Sequence, residues 1–319
     1  MLKVYFTVDV EIWCGGWEDI DSKFNGAFQR YIYGPTNKGN YGLPYKLKVL
    51  NEHGLKGTFF VEPLFSLRFG SSPLCETVGL IKDADQSIEL HLHTEWADEA
   101  RTPPLPHIKE KRQHLKYFSL EEQEVLIKTG RALLENAGVE HIHAFRAGSF
   151  GFNKDTLFAL RNVGIGVDSS YNATRMGLES GVMPGHILTG PLVYNGIYEA
   201  PMTVYYDRPG NLRHAQLCAC SFKELEYILW KSLEEGRKEV VILSHNFELL
   251  DASNKKPNRV VAKRFHKLCK FLDMNRDSFS VEDFSNYACE EDQKQYPPIN
   301  SPISNTGLRI LEQAWSRLA

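Results

Sequence analysis

The stretch VYFTVDVE, residues 4–11, decides how this chain begins to fold. Val4, Phe6 and Val8 fall on one face of an extended chain, which is the period-two pattern of a β-strand. Similar short apolar runs recur downstream. They are GTFFVE (57–62), SIELHLH (87–93), HAFRA (143–147), GIGVDSS (164–170), residues 196–200 and EVVILSH (239–245).

Stretches with helical signals lie between these runs. They are predicted at Pro44–His53, from Ser119 to Ala137, at Lys154–Asn162, near 222–235, at about 258–273 and at Gly307–Leu318. Ser119 with Glu122 three residues on is a capping-box pattern. Strands that alternate with helices predict an α/β domain with mostly parallel strands and outer helices, and the number of strands favours closure into a barrel.

The composition narrows the class of protein. The 319 residues contain 37 Lys+Arg and 40 Asp+Glu, a net charge of −3, and 42% are hydrophobic. These values are typical of a globular chain and exclude disordered and collagen-like ones. With charge this balanced and no dense basic run, nucleic acid and anionic membranes are not expected partners. No apolar run reaches the ~20 residues of a membrane span, and the first strand lacks signal-peptide features, so a cytoplasmic location is expected.

Titratable residues stand repeatedly at the carboxyl ends of the predicted strands. They are Asp9 and Glu11, His91 and His93, Arg146, Asp168 and His245. In parallel α/β folds these strand ends meet at one face, where active sites are built. The sequence therefore predicts that side chains distant along the chain gather in one site.

The segment ELHLHTEW, residues 89–96, has the spacing of a metal site. If it stays extended, His91 and His93 project from one face and suit a divalent metal. If a helical turn begins after His91, that residue shares a side with Glu95 instead. Two histidines plus a carboxylate such as Glu11 form a hydrolytic metal-site pattern.

Taken in order, six motifs resemble those of the polysaccharide deacetylases, the NodB-homology fold of carbohydrate esterase family 4. They are TVDVE (7–11), TFFVE (58–62), ELHLHTEW (89–96), FRAGSFGFN (145–153), VDSSY (167–171) and VILSHNFE (241–248). The resemblance covers about residues 2–288 and implies a distorted (β/α) barrel. The HLHxxW variant is most similar to a branch found in surface-polysaccharide and O-antigen biosynthesis.

The resemblance also implies roles for individual residues. Asp9 corresponds to the catalytic base, Arg146 to the arginine that orients it, Asp168 to the acidic fourth motif and His245 to the general acid. His91 corresponds to the first metal histidine. The sequence departs from the family at two metal positions, where Val10 and Glu95 stand, so Glu11 and His93 are the expected substitutes beside Glu95.

The resemblance implies a metal-dependent hydrolase that removes an N-acetyl group from an amino sugar or polysaccharide precursor. Zinc is the expected metal, with cobalt or nickel as alternatives. Two other functions stay open, because Val10 and Glu95 occupy usual ligand positions. One is a non-catalytic protein that binds carbohydrate or a partner enzyme, and the other is hydrolysis of a small cyclic amide. Residues 1–289 are expected to form the NodB-like domain and residues 290–319 a C-terminal tail with a short helix.

Overall fold

The computed structural model describes residues 1–175, 180, 187–253, 255–289 and 294–318. Two compact units are present. The first comprises Met1–Gly57, Thr203–Glu282 and Tyr296–Ala319, and the second comprises Thr58–Met202 and Asp283–Gln295.

The strands and helices alternate along most of the chain. The strands are β1 (Leu2–Val10), β2 (Pro35–Thr36), β3 (Gly39–Asn40), β4 (Thr58–Val61), β5 (Ser87–Leu92), β6 (Ala144–Ala147), β7 (Val167–Asp168), β8 (Leu192–Tyr194), β9 (Ile197–Glu199), β10 (Val204–Arg208), β11 (Asn211–His214), β12 (Glu239–His245), β13 (Phe279–Val281) and β14 (Ile299–Asn300). The α-helices are α1 (Ile20–Phe28), α2 (Leu43–Glu52), α3 (Ser66–Phe69), α4 (Ser72–Asp83), α5 (Leu120–Asn136), α6 (Lys154–Val163), α7 (Phe222–Glu234), α8 (Arg259–Met274) and α9 (Ile303–Leu318).

In the first unit, β1 pairs in parallel with both β12 and β13. Residues on both faces of β1 are buried, including Tyr5 and Thr7 as well as Val4 and Phe6. A parallel strand covered on both sides is apolar almost throughout, which explains why the run is so hydrophobic. The register places Asp9 directly beside His245 at the end of the two strands.

In the second unit, the strands lie in the order β4, β5, β6, β7, β9, β8. Neighbouring pairs are parallel except β8 and β9, which form an antiparallel pair. The buried carboxylate of Glu89 on β5 accepts hydrogen bonds from the backbone N–H groups of His143 and Ala144, both at 2.7 Å. These bonds fix the start of β6 against β5.

All six predicted helices are present. The capping box is confirmed, because Ser119 and Glu122 cap α5 reciprocally. The strand predicted at 164–170 is shorter than expected and comprises only Val167–Asp168. Gly164 has a φ of 83° and ends α6 in the left-handed conformation. The backbone therefore turns at the start of the apolar run, where a strand was predicted.

Helix α9 begins four residues before the predicted start and packs against β10, α7 and α8 within the first unit. Its buried Arg309 forms ion pairs with Asp207 on β10 and Glu224 on α7. The predicted boundary between residues 289 and 290 stays a prediction, because residues 290–293 lie outside the described ones. Within the described residues, no helix combines the length and apolarity needed to cross a membrane.

Candidate active site

The first unit brings together Asp9, Glu11 and His245. Each offers a potential ligand atom, and these atoms lie within 4.8 Å of one another. The Nε2 atom of His245 lies 3.8 Å from Oε1 of Glu11. Asp9 and Glu11 are buried and His245 is partly exposed, so the group combines two carboxylates and an imidazole at the end of adjacent strands.

The backbone and carboxylate of Glu11 are both held in place. Asn246 accepts a hydrogen bond from the N–H of Glu11 and donates one to its carbonyl oxygen, each at 3.1 Å. Trp13 donates its indole N–H to Oε2 of Glu11 at 2.6 Å. Glu11 lies beyond the end of β1, so Asn246 holds its backbone and Trp13 its carboxylate.

Behind His245 lies a buried polar network that the sequence alone did not reveal. Glu248, three residues on, accepts a hydrogen bond from Nδ1 of His245 at 2.8 Å. The same carboxylate accepts hydrogen bonds from Gln216 and from Ser244. The ammonium of Lys46 on α2 donates to the hydroxyl of Ser244 at 2.8 Å, although Lys46 is completely buried. Glu248 therefore fixes the orientation of the imidazole.

The charges of this network hold a proton on His245. Burial by itself would lower the pKa of the imidazole, but the hydrogen bond to Glu248 and the charges of Glu11, Glu248 and Asp9 outweigh it and raise the pKa to about 9. Burial raises the pKa of Glu248, yet its bond to His245 prevails and lowers it to about 2. Near neutral pH the pair is therefore an imidazolium and a carboxylate.

The second unit brings together His91, His93 and Glu95. The two imidazole rings are 4.8 Å apart and nearly perpendicular, and Nδ1 of His93 lies 3.4 Å from Oε2 of Glu95. The strand continues past His91 and ends at Leu92, and a short 3₁₀ helix, Thr94–Glu99, then brings Glu95 to the side of His93.

His91 has a defined proton position. Its Nδ1 lies 2.8 Å from the carbonyl oxygen of Arg146, which can only accept a hydrogen bond. In neutral His91, Nδ1 therefore carries the proton and Nε2 the lone pair. A hydrogen bond of this kind is typical of histidines that ligate metals.

Glu62 lies directly after β4, and the sequence analysis did not identify it as a candidate site residue. Burial raises its pKa to about 8, despite the hydrogen bonds that its carboxyl group accepts from the N–H groups of Leu64 and Phe65. The charge of His93 lowers this pKa and that of Glu95 raises it. The carboxyl group of Glu62 thus interacts electrostatically with both His93 and Glu95.

Arg146 and Asp168 lie on the neighbouring strands β6 and β7 of the second unit. The Arg146 guanidinium is fully buried, lies 4.2 Å from the centre of the Phe60 ring and donates to the carbonyl oxygen and hydroxyl of Ser169. Asp168 accepts a hydrogen bond from the Ser170 hydroxyl at 2.6 Å.

Glu199 on β9 pairs in register with Asp168, and sequence reasoning missed it. Burial raises the pKa of both carboxyl groups, and the charge and hydrogen bonding of Asp168 raise that of Glu199 well above its ordinary range. Burial and mutual repulsion thus disfavour a second negative charge on this pair of carboxyl groups.

The aromatic residues next to the motifs divide into two groups. Trp96, Phe152 and Tyr171 are buried and belong to the core of the second unit. Trp13 and Trp17 are partly exposed and contact each other edge to face, with ring centres 6.1 Å apart. Of these five residues, Trp13 and Trp17 are the ones that reach the surface.

Comparison with known proteins supports the fold. A protein from Mycobacterium smegmatis with the provisional name polysaccharide deacetylase superposes with a TM-score of 0.54 at 18% identity, over 89% of this chain and 87% of that one. A family 4 carbohydrate esterase from Streptomyces lividans, solved with acetate, gives 0.42 at 11% identity, over 88% and 91% of the chains. A family 4 pseudoenzyme from Bacillus anthracis gives 0.39 at 13% identity, over 84% and 60%.

No protein-family model and no curated protein matches the sequence. The similarity to the mycobacterial structure shows the fold, and the predicted fold class, a distorted (β/α) barrel with mostly parallel strands, is confirmed. The predicted roles of the site residues, and their union in one site, stay predictions.

Gly148→Ala is expected to disturb His93. A Cβ atom at Gly148 would lie 2.7 Å from both Nδ1 of His93 and the carbonyl oxygen of Leu92, so the ring and the backbone would have to move apart. We expect the free energy of unfolding to fall by about 1–3 kcal/mol, as in other overpacked sites. Denaturant unfolding measures it. Gly166→Ala is the matched control, because a Cβ atom there would meet nothing within 4 Å. Equal losses of stability in the two variants would contradict the close packing of Gly148 against His93.

Glu248→Gln is expected to lower the pKa of His245 from about 9, because the substitution removes the negative charge that holds the proton. NMR titration of the imidazole measures this pKa, and Glu52→Gln at an exposed carboxylate is the control. An unchanged His245 pKa in Glu248→Gln would contradict the network.

The same pair gives a pH dependence of stability. The contribution of His245 is complete below its ordinary pKa of 6.5 and is lost as the pH rises through about 9. The contribution of Glu248 is complete above 4.5 and is lost as the pH falls through about 2. The difference in the free energy of unfolding between wild type and Glu248→Gln should therefore be greatest between pH 4.5 and pH 6.5.

Proposed function

We propose that the chain is a metal-dependent hydrolase that removes an N-acetyl group from an amino sugar or polysaccharide precursor. The observation that carries the proposal is the pairing of Asp9 with His245 at the ends of β1 and β12. One offers a buried carboxylate and the other an imidazole that keeps its proton near neutral pH. Amide hydrolysis needs such a base and acid.

The proposed metal ligands are Glu11, His91, His93 and Glu95. The donor chemistry fits a divalent ion: two imidazoles and two carboxylates are ligands that zinc accepts. Because Nδ1 of His91 carries the proton, the lone pair of Nε2 is available to bind a metal ion. Trp13 fixes the carboxylate of Glu11. When bound, the ion would supply Lewis-acid activation of the substrate carbonyl and of water.

The remaining steps belong to side chains. Asp9 takes a proton from the attacking water as general base. His245 then donates its proton to the departing nitrogen, since an amine anion is a very poor leaving group. Glu248 keeps this proton in place until it is needed. Arg146 is assigned to orient Asp9, and Asp168 supports the strand end next to Arg146.

The finer assignments rest on the resemblance of the motifs. We propose an amino-sugar substrate of surface-polysaccharide or O-antigen biosynthesis, zinc as the metal and a cytoplasmic location. The partly exposed Trp13 and Trp17 next to Glu11 are the proposed stacking surface for a sugar ring, because aromatic faces bind the apolar side of sugars.

Metal binding is expected and depends on His91. Purified protein titrated with zinc, cobalt or nickel should retain the ion after dialysis, as measured by atomic emission. His91→Ala should weaken the affinity at least tenfold, while His107→Ala, at an exposed imidazole, should not. If wild type retains none of the three ions, metal dependence is wrong.

Acetate release from an N-acetylated amino-sugar oligomer should depend on Asp9 and His245. Asp9→Asn and His245→Ala are each expected to lower kcat by about 10²–10⁴, because each removes one proton-transfer group. Asp277→Asn, at an exposed position, is the control. Sugar binding without acetate release would favour the non-catalytic alternative, and unchanged rates in both variants would refute the assigned roles.

A further inference from the structure

Helix α8 presents a basic face that the net charge of the chain conceals. Its sequence RVVAKRFHKLCKFLDM contains five Arg or Lys residues and a single acidic residue, Asp273. Arg259, Lys263 and Lys267 are exposed and recur at every fourth position, so they follow one side of the helix. Among the described residues, none of the three has a carboxylate partner.

A cavity of about 270 Å³ opens beside this face, within the first unit. Its lining includes Arg259, Lys263 and Lys267, together with Phe222, Arg264 and Glu312. Lys267 and the neighbouring Lys223 hold their ammonium groups 5.7 and 5.9 Å from the centre of the Phe222 ring. The aromatic ring therefore keeps lysine side chains at the edge of the cavity.

Arg264 provides a second, independent observation. Its side chain is almost completely buried and lines both this cavity and an adjacent one of about 200 Å³. One Nη atom donates to the carbonyl oxygens of Leu217 and Cys218, and the other donates to Glu312. The Nε–H has no acceptor in the part of the chain that the structure describes. Arg264 therefore ties α8 to the segment before α7 and to α9 beside both cavities.

We propose that this groove binds a phosphate or diphosphate group. The three exposed cations are groups that recognise phosphate oxygens, and Glu312 does not oppose them because Arg264 already pairs with it. The cavity is slightly smaller than the about 300–1,000 Å³ of pockets for whole small molecules, so it fits one or two phosphate groups. The inference does not depend on the proposed hydrolase.

Titration calorimetry with inorganic pyrophosphate tests the groove. We expect wild type to bind with a dissociation constant below about 1 mM. Lys263→Gln with Lys267→Gln should weaken binding at least tenfold, because both ammonium groups are lost. Lys128→Gln with Lys154→Gln removes the same charge from exposed positions of the second unit and should change binding less than twofold. Thermal unfolding confirms that all variants fold.

A second arm distinguishes the source of the phosphate. Cosedimentation uses vesicles of equal parts phosphatidylcholine and phosphatidic acid. Binding of wild type that is lost in the Lys263/Lys267 variant would identify a lipid headgroup, and pyrophosphate binding alone would identify a soluble ligand. If neither probe binds, or if the two double variants lose binding equally, the proposal is wrong.

Discussion

The parallel register of β1 against β12 is the constraint on which the first-unit site depends. It places Asp9 beside His245, and the Thr7 hydroxyl reinforces it by donating to the carbonyl oxygen of Ile242 at 3.0 Å. A shift of a single residue would turn every side chain of the strand to its other face. Because both faces of β1 are packed, the packing that stabilises the unit opposes such a shift and keeps the carboxylate next to the imidazole.

The two units solve the problem of buried carboxylates in different ways. In the first unit, Glu248 is ionised and has cationic neighbours, with His245 in direct contact and Lys46 reached through Ser244. In the second unit, Glu199 is buried beside Asp168, and burial together with the charge of Asp168 raises the pKa of Glu199 well above its ordinary range. The imidazolium of the first pair can release a proton to a substrate, whereas Asp168 and Glu199 lie in register on neighbouring strands. This difference is the physical basis for proposing His245 as the acid and Asp168 as a supporting residue.

The sequence predicted the strand-end residues because the evidence for them is local. Short runs of apolar residues and their period-two pattern identify β1, β5 and β12. Asp9, His91 and His245 are polar residues at or near the carboxyl ends of these strands. Glu62 and Glu199 also stand at the ends of strands, so the same local pattern could have found them. Their raised pKa values could not be predicted, since these come from burial beside groups distant along the chain. Glu248 was within a quoted motif, but its role depends on the turn after β12. At Gly164 the sequence predicted a strand too early. The left-handed conformation of this residue ends α6, and the strand begins only at Val167.

The attachment of α9 has a consequence for biosynthesis. Arg309 follows Asp207 by 102 residues and Glu224 by 85, so both acids leave the ribosome long before their cation does. Until then, among the described residues, Asp207 has only the nearby Asn211 and Arg213 as polar side-chain partners, and Glu224 only caps its own helix. The ion pairs that join α9 to β10 and α7 can therefore form only after residue 309 has been synthesised, which makes them a late, long-range contact.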